Sequence, residues 1–239
     1  MNLIWAGLLG LATLTTTAGC DGKVTRQVQA KVLESHGHIV VEFQDGTPQG
    51  PASVAPGFQI PIGAKVRTAD DAAVSLMLLP GALLHVGANC EFLIQELKLG
   101  KNGYSTAEAM SRTVRVLLSK GTAYIVVQFE SDAAPVIVET ASGTFSMAYP
   151  ATCRLEAQPD RTRVTAVRGG GTYSLKGSVK TQAIDAGHIW ESDPADTAAI
   201  PVETQERAQA EVDECLDVER KLLNLQRAER FSPFPWRRL

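Results

Sequence analysis

From Val24 to about Trp190 apolar residues recur at every second position in short runs, and glycines separate the runs. Val74, Leu76 and Leu78 alternate, Pro80-Gly81 follows, and Leu84 and Val86 resume the pattern. A period of two sends successive side chains to opposite faces of an extended chain, so each run is a strand with one buried side. This pair reads as a hairpin whose turn needs a positive φ at glycine. Val114, Val116 and Leu118 before Lys120-Gly121, and Ala123, Ile125, Val127 and Phe129 after it, read as a second turn between strands. Further short strands are expected at 136–139, 145–148, 154–157, 163–167, 173–175 and 179–183. Such spacing predicts an all-β domain, as a sandwich, a barrel or a twisted β-solenoid of short strands. Gly46 to Gly57, with three prolines, predicts a loop, and Lys98 to Ser111 a second polar interruption.

The character changes after Asp193-Pro194. Ala208, Val212, Cys215, Val218, Leu222 and Leu225 recur at three- and four-residue steps, which predicts an amphipathic α-helix from Pro201 to about Arg230. Acidic residues load its first half and basic residues its second, complementing the helix dipole. Such a helix either docks on the β domain or serves a partner. The tail beyond it holds Phe231, Phe234 and Trp236 between prolines. Proline cannot continue a helix, so this aromatic, basic end is a candidate for docking on a partner or closing over the domain.

Leu3 to Leu14 is uncharged and apolar apart from Thr13, far short of the ~20 residues that span a bilayer. Its length suits the h-region of a secretory leader. Thr17-Ala18-Gly19-Cys20 follows and resembles a bacterial lipoprotein box. The resemblance implies that residues 1–19 are a signal peptide and that Cys20 carries acyl chains such as palmitate. Thr17 departs from the aliphatic residue preferred there. Asp21 resembles the residue that retains such lipoproteins in the inner membrane. Two or more acyl chains anchor stably where one does not. The chain is therefore expected in the bacterial envelope, facing the periplasm.

An exported chain meets an oxidising compartment where disulfides persist. Cys90, Cys153 and Cys215 remain once Cys20 is set aside, an odd count that allows one bridge or none. "HVGANCEFLI" and "AYPATCRLEA" look alike, each a strand end, a turn, a cysteine and a strand. In a chain wound in stacked turns, Cys90 and Cys153 would be candidates to meet; two separately buried thiols are the other reading. No short cysteine spacing marks a zinc or redox site. His36-Gly37-His38 places two imidazoles on one strand face, which could clip a metal but equally suits an exposed strand end. Asp70-Asp71 reads as a solvated turn. There is no G-x-S-x-G elbow and no H-E-x-x-H, and Gly169 to Gly171 lack the lysine of a phosphate loop. A net charge of −3 gives no reason to expect nucleic acid, and 6% aromatic residues do not favour a stacking platform. Neither catalysis nor a cofactor is expected.

"IPIGAKVRTADDAAVSLMLLPGALLHVGANCEFLIQEL" resembles the FecR domain, with Gly63, Val66, Arg67, Thr68, Leu76, Leu78, Pro80 and Gly81 carrying the match. "VRVLLSKGTAYIVVQF" resembles its next unit, with Gly121 at the turn, and Thr140 and Gly143 align with its Thr-x-x-Gly segment. "RTRVTAVRGGGTYSL" and "AIDAGHIW" resemble its closing strands, with Gly169 and Gly187 as their turn glycines. The similarity covers roughly Ile60 to Trp190. Cys153 stands near the turn where the family usually shows Gly-Thr, and Cys90 is its counterpart in the earlier unit, which strengthens the pairing candidate. Known relatives join a cytoplasmic anti-sigma region, one membrane helix and this domain, which senses an outer-membrane receptor from the periplasm. The lipoprotein-like start argues against that topology. The expected organisation is 20–59 for anchor, first strands and Pro/Gly loop, 60–193 for the FecR-like domain, and 194–239 for helix and tail. The expected role is a non-enzymatic interaction or scaffold module for another envelope protein. The alternatives are an accessory of cell-surface signalling and a glycan- or peptidoglycan-binding module.

Overall fold

The alternating runs fold as strands in the computed structural model, which describes residues 23–46, 48–49, 54–102, 111–128, 135–147, 149–192 and 205–230. In chain order they are β1 (Lys23–Gln27), β2 (Ala30–His36), β3 (Ile39–Glu42), β4 (Pro48–Gln49), β5 (Gln59–Ile60), β6 (Lys65–Thr68), β7 (Ala73–Leu79), β8 (Ala82–Val86) and β9 (Glu91–Asn102). Then come β10 (Ser111–Val127), β11 (Val136–Glu139), β12 (Gly143–Met147), β13 (Ala151–Ala157), β14 (Thr162–Arg168), β15 (Gly171–Leu175), β16 (Thr181–Ile184) and β17 (His188–Glu191). Helix α1 (Gln205–Arg230) follows.

Two sheets pack face to face, as in a sandwich. The first runs β4–β3–β6–β9–β10–β11–β12–β15–β16, with β1 beside the far half of β9. The second runs β5–β2–β7–β8–β10–β13–β14–β17. Their inward side chains merge into one core, where Phe92, Phe145, Tyr173, Leu76, Leu84 and Ile94 are fully buried. Strands β1, β2 and β3 pair with β9, β7 and β6, so strands before residue 60 join the same two sheets as those after it.

Strand β10 belongs to both sheets and corrects the turn expected at Lys120-Gly121. Residues 111–120 pair with β9 in the first sheet, and in the second 121–127 pair with β13 and 123–127 with β8. The chain bends there without reversing. Gly121 has φ +99°, and a Cβ on it would lie 2.3 Å from Cys90 Sγ and 2.7 Å from Cys90 Cα. Only glycine combines that backbone with that approach. Thr68 fixes the neighbouring corner: its hydroxyl donates to the Gly87 carbonyl at 2.7 Å and accepts from the Cys90 amide at 2.9 Å.

Of the two readings of Cys90 and Cys153, the structure has the separately buried thiols: Cys90, Cys153 and Cys215 are all buried and free. Cys90 abuts Gly121 and donates to the Thr122 carbonyl at 3.2 Å, whereas Cys153 pairs with Ile125, four residues further along β10. At ~3.3 Å per residue that separation is roughly 13 Å, against the ~7 Å between Cα atoms that a disulfide tolerates. The two segments occupy different places along one strand, not equivalent layers.

The Thr-x-x-Gly segment closes the other end. Thr140 Oγ1 lies 2.9 Å and Ser142 Oγ 2.7 Å from the Tyr173 hydroxyl, and Ser142 also meets Thr162 Oγ1 at 2.7 Å. Ser192 joins by accepting from the Thr162 amide at 2.7 Å. These hydroxyls satisfy one another where water is excluded, as burial of polar groups requires. Of the residues that carry the family resemblance, Thr68, Gly121, Thr140 and Gly143 thus serve turns and corners, while Val66, Leu76 and Leu78 are buried in the core.

Candidate functional site

The outer face of the second sheet is covered by α1, and there the molecule gathers its buried charge. Alternation aims the side chains: because Cys153 and Leu155 point into the core, Arg154 points out, and because Val164 and Ala166 point in, Arg163 and Thr165 point out. Glu211 of α1 meets all three. Its carboxylate lies 3.1 Å from Arg163 Nη2 and 3.8 Å from Arg154 Nη1, and it accepts from Thr165 Oγ1 at 2.9 Å. The side chains of Arg163, Glu211 and Arg154 are only 9%, 10% and 13% exposed. Removing one member of such a buried set strands the others at a cost of about 3–5 kcal/mol.

The seat continues along the helix. Glu219 faces Arg168 Nε at 3.5 Å, Leu222 fills an apolar patch of Met77, Leu83 and Val126, and Glu229 pairs with Lys31. Lys221 reaches back to Glu34 at 2.5 Å. The buried stripe is therefore Glu211, Cys215, Glu219, Leu222 and Gln226, while Val212, Val218 and Leu225 are only half-buried. This corrects the apolar stripe expected from the sequence: the helix is rolled so that carboxylates meet the basic face of the sheet.

His85 of β8 lies under the same cover, with Nδ1 2.9 Å from Ser75 Oγ and its ring 5.9 Å from that of Tyr124. Burial, reinforced by the positive charge of Lys221, lowers its pKa from 6.5 to about 4. Glu34 and His36 from β2 and Glu214 from α1 also act on it. The folded protein holds the ring neutral while the unfolded chain takes up a proton, so stability is lost as pH falls from about 6.5 to about 4. The loss is roughly 2–3 kcal/mol, allowing for partial solvent screening. Thermal midpoints of the wild type and His85→Gln across that range should diverge, the wild type losing more; parallel curves would refute the assignment.

Burial pushes the Cys90 and Cys215 thiols up to about 12 and raises Cys153 too, so none of the three is poised as a thiolate. His36 and His38 flank Gly37 at an exposed turn, and no group of three or more His, Cys, Asp and Glu able to hold a metal occurs among the described residues. Cys20, Asp21, Phe231, Phe234 and Trp236 lie outside the described residues. Sequence reading missed Arg154, Arg163, Thr165 and Glu211; the available signal was arginine at outward positions of strands that are otherwise buried.

The chain matches no protein-family profile and no curated protein. Two crystal structures of a candidate anti-sigma factor from Parabacteroides distasonis are similar to it, at 14% identity with a TM-score of 0.42 and 13% with 0.41. Each match covers 57% of this chain and 57% of the other, so the chain spans just over half the length of those proteins. Similarity at that level leaves their described role with them.

Proposed function

We propose that this chain is a non-enzymatic, lipid-anchored module of the bacterial envelope that works by binding another protein. The observation that supports it most is the seat for α1, where a sheet face carries two buried arginines, Arg154 and Arg163, and the exposed Arg168 arranged to hold carboxylates of a helix. Interfaces of this kind gain specificity from charge complementarity. The thiols add support, since burial keeps all three protonated and away from the thiolate that a nucleophile needs at neutral pH. The anchor rests on the lipoprotein-like Ala18-Gly19-Cys20, and retention at the inner membrane on Asp21. The FecR-like residues from Gly63 to Gly143 favour a place in cell-surface signalling over glycan binding, as an accessory to a separate membrane regulator.

Cross-linking in intact cells, followed by fractionation, tests both parts. The wild type is expected in the membrane fraction with a discrete cross-linked protein, and Cys20→Ser in the soluble fraction. If Cys20→Ser stays with the membrane, the anchor is wrong. If the wild type cross-links to nothing, the interaction role is wrong.

A further inference from the structure

We propose that the outer face of the second sheet is a docking site for an acidic amphipathic helix of a partner protein, and that α1 is the chain's own occupant, displaced when the partner binds. The inference rests on the interaction role above and names its surface and its ligand chemistry.

The seat reads a helix by position. It takes a carboxylate at Glu211, against Arg163, Arg154 and Thr165; a small side chain four residues on, at Cys215; a second carboxylate at Glu219, against Arg168. Leucine at Leu222 enters the Met77, Leu83 and Val126 patch, and a third carboxylate at Glu229 meets Lys31. At ~1.5 Å per residue the outermost carboxylates are about 27 Å apart on one face of a helix. The seat also takes a lysine at Lys221, against Glu34, so it reads three carboxylates, one leucine and one lysine at fixed positions and selects against helices that reverse those charges or are uniformly apolar.

The fit of α1 is incomplete. Arg154 Nε and Gln226 Nε2 are buried without a hydrogen-bond partner among the described residues, and Arg154 Nη1 stays 3.8 Å from Glu211 while its Nη2 donates to Glu156 of its own strand at 3.3 Å. Among the residues of α1 whose burial is described, three of the five buried ones are polar, and the aliphatic Val212, Val218 and Leu225 are half-buried, Val218 beside the Met77, Leu83 and Val126 patch. Desolvating paired charges costs about as much as their attraction returns, so α1 is held more weakly than the length of its seat suggests. Strands β10, β13 and β14 of the seat are paired on both sides in the second sheet and keep their geometry when the helix leaves. Tethering supplies an effective concentration of about a millimolar, which a partner must overcome.

The test uses the full-length chain and a fluorescent peptide of residues 205–230. In cis, Glu219→Lys with Glu229→Lys sets two lysines against Arg168 and Lys31 and loosens the tethered helix. The peptide is expected to bind this variant at least about tenfold more tightly than the wild type. An alanine-based peptide keeping only the three glutamates, Lys221 and Leu222 should bind as well, and one with the glutamates reversed to lysine should not. Arg163→Ala in the same background should abolish binding, with the β-sheet circular dichroism unchanged. A folded variant that ignores the peptide, or that binds the reversed peptide equally, overturns the proposal. A wild-type dimer in sedimentation that the peptide dissolves would place a second copy's α1 on the seat and also overturn it. If the peptide fails while cross-linking finds a partner, the interaction role stands on another surface; if the peptide binds and cross-linking finds none, the seat stands without that role.

Discussion

Gly121→Ala is expected to lower the thermal midpoint by roughly 8–15 °C. A φ of +99° in a residue with a side chain costs about 1–3 kcal/mol. The new methyl would also enter space held by Cys90, 2.3 Å from its Sγ and 2.7 Å from its Cα. Overpacking of that kind costs a further ~1–3 kcal/mol. The sum is about 2–6 kcal/mol, centred near 4, and a domain of this size loses about 2–4 °C per kcal/mol. Most of the effect should survive in Cys90→Ala/Gly121→Ala, because the clash with the Cys90 main chain and the backbone strain remain when the sulfur goes. Gly87→Ala is the control, since no atom lies within 4 Å of its added Cβ and its φ is not positive. Differential scanning calorimetry of the three variants reads these outcomes directly. A Gly121→Ala midpoint within 2–3 °C of the wild type would mean that β10 is not pinned at its bend.

The same bend shows what a sequence of this kind exposes and what it hides. Alternation at Val114 to Leu118 and at Ala123 to Val127 identifies strand, because the pattern is local and one face is buried. Whether a glycine between two such runs reverses the chain depends on their neighbours, and those are β9 on one side and β8 with β13 on the other, distant in sequence. The Pro80-Gly81 hairpin was legible because both its strands and its turn are adjacent; β7 and β8 pair across it, with Gly81 at φ +86°. The pairing of cysteines was hidden for the reason the bend was: it needs the register of β13 against β10. Helix α1 was legible as an element and its buried face in part, since Cys215 and Leu222 of the expected stripe are buried whereas Glu211, Glu219 and Gln226 are not foreseen there. The apolar stripe predicts the side that leaves water, whereas Arg154 and Arg163, contributed by two strands of one distant hairpin, turn that side toward Glu211 and Glu219. Parallel pairing of β10 with β11 likewise has no local signature. The candidate site is therefore a tertiary property: each of its charges looks like an ordinary surface residue until the sheet places them together.

Glu211→Ala is the second change with a large expected effect, and its form distinguishes a latch from a fixed strut. Taking away the carboxylate leaves Arg154 and Arg163 under the helix with only the sheet's own Glu156 and Glu191, at 3.3 Å and 3.4 Å, as counter-charges, which would cost up to about 3–5 kcal/mol if α1 stayed in place. The molecule has a cheaper alternative, because the helix can lift and both guanidiniums can hydrate. The measured loss is then capped at the free energy of docking, and α1 opens while the β core stays folded. Cys215 reports on this, being fully buried against the sheet, whereas Cys90 and Cys153 lie inside the sandwich. In a Cys20→Ser background, thiol labelling of the native Glu211→Ala protein should modify Cys215 at least about tenfold faster than in the parent, with Cys90 and Cys153 still protected. Adding Arg154→Met and Arg163→Met should restore protection of Cys215, since replacing a whole buried ionic set by apolar side chains of similar volume is often neutral or stabilising. Simultaneous labelling of all three thiols would show that the helix is integral to the fold and no latch. Unchanged labelling would show that the charges do not hold it.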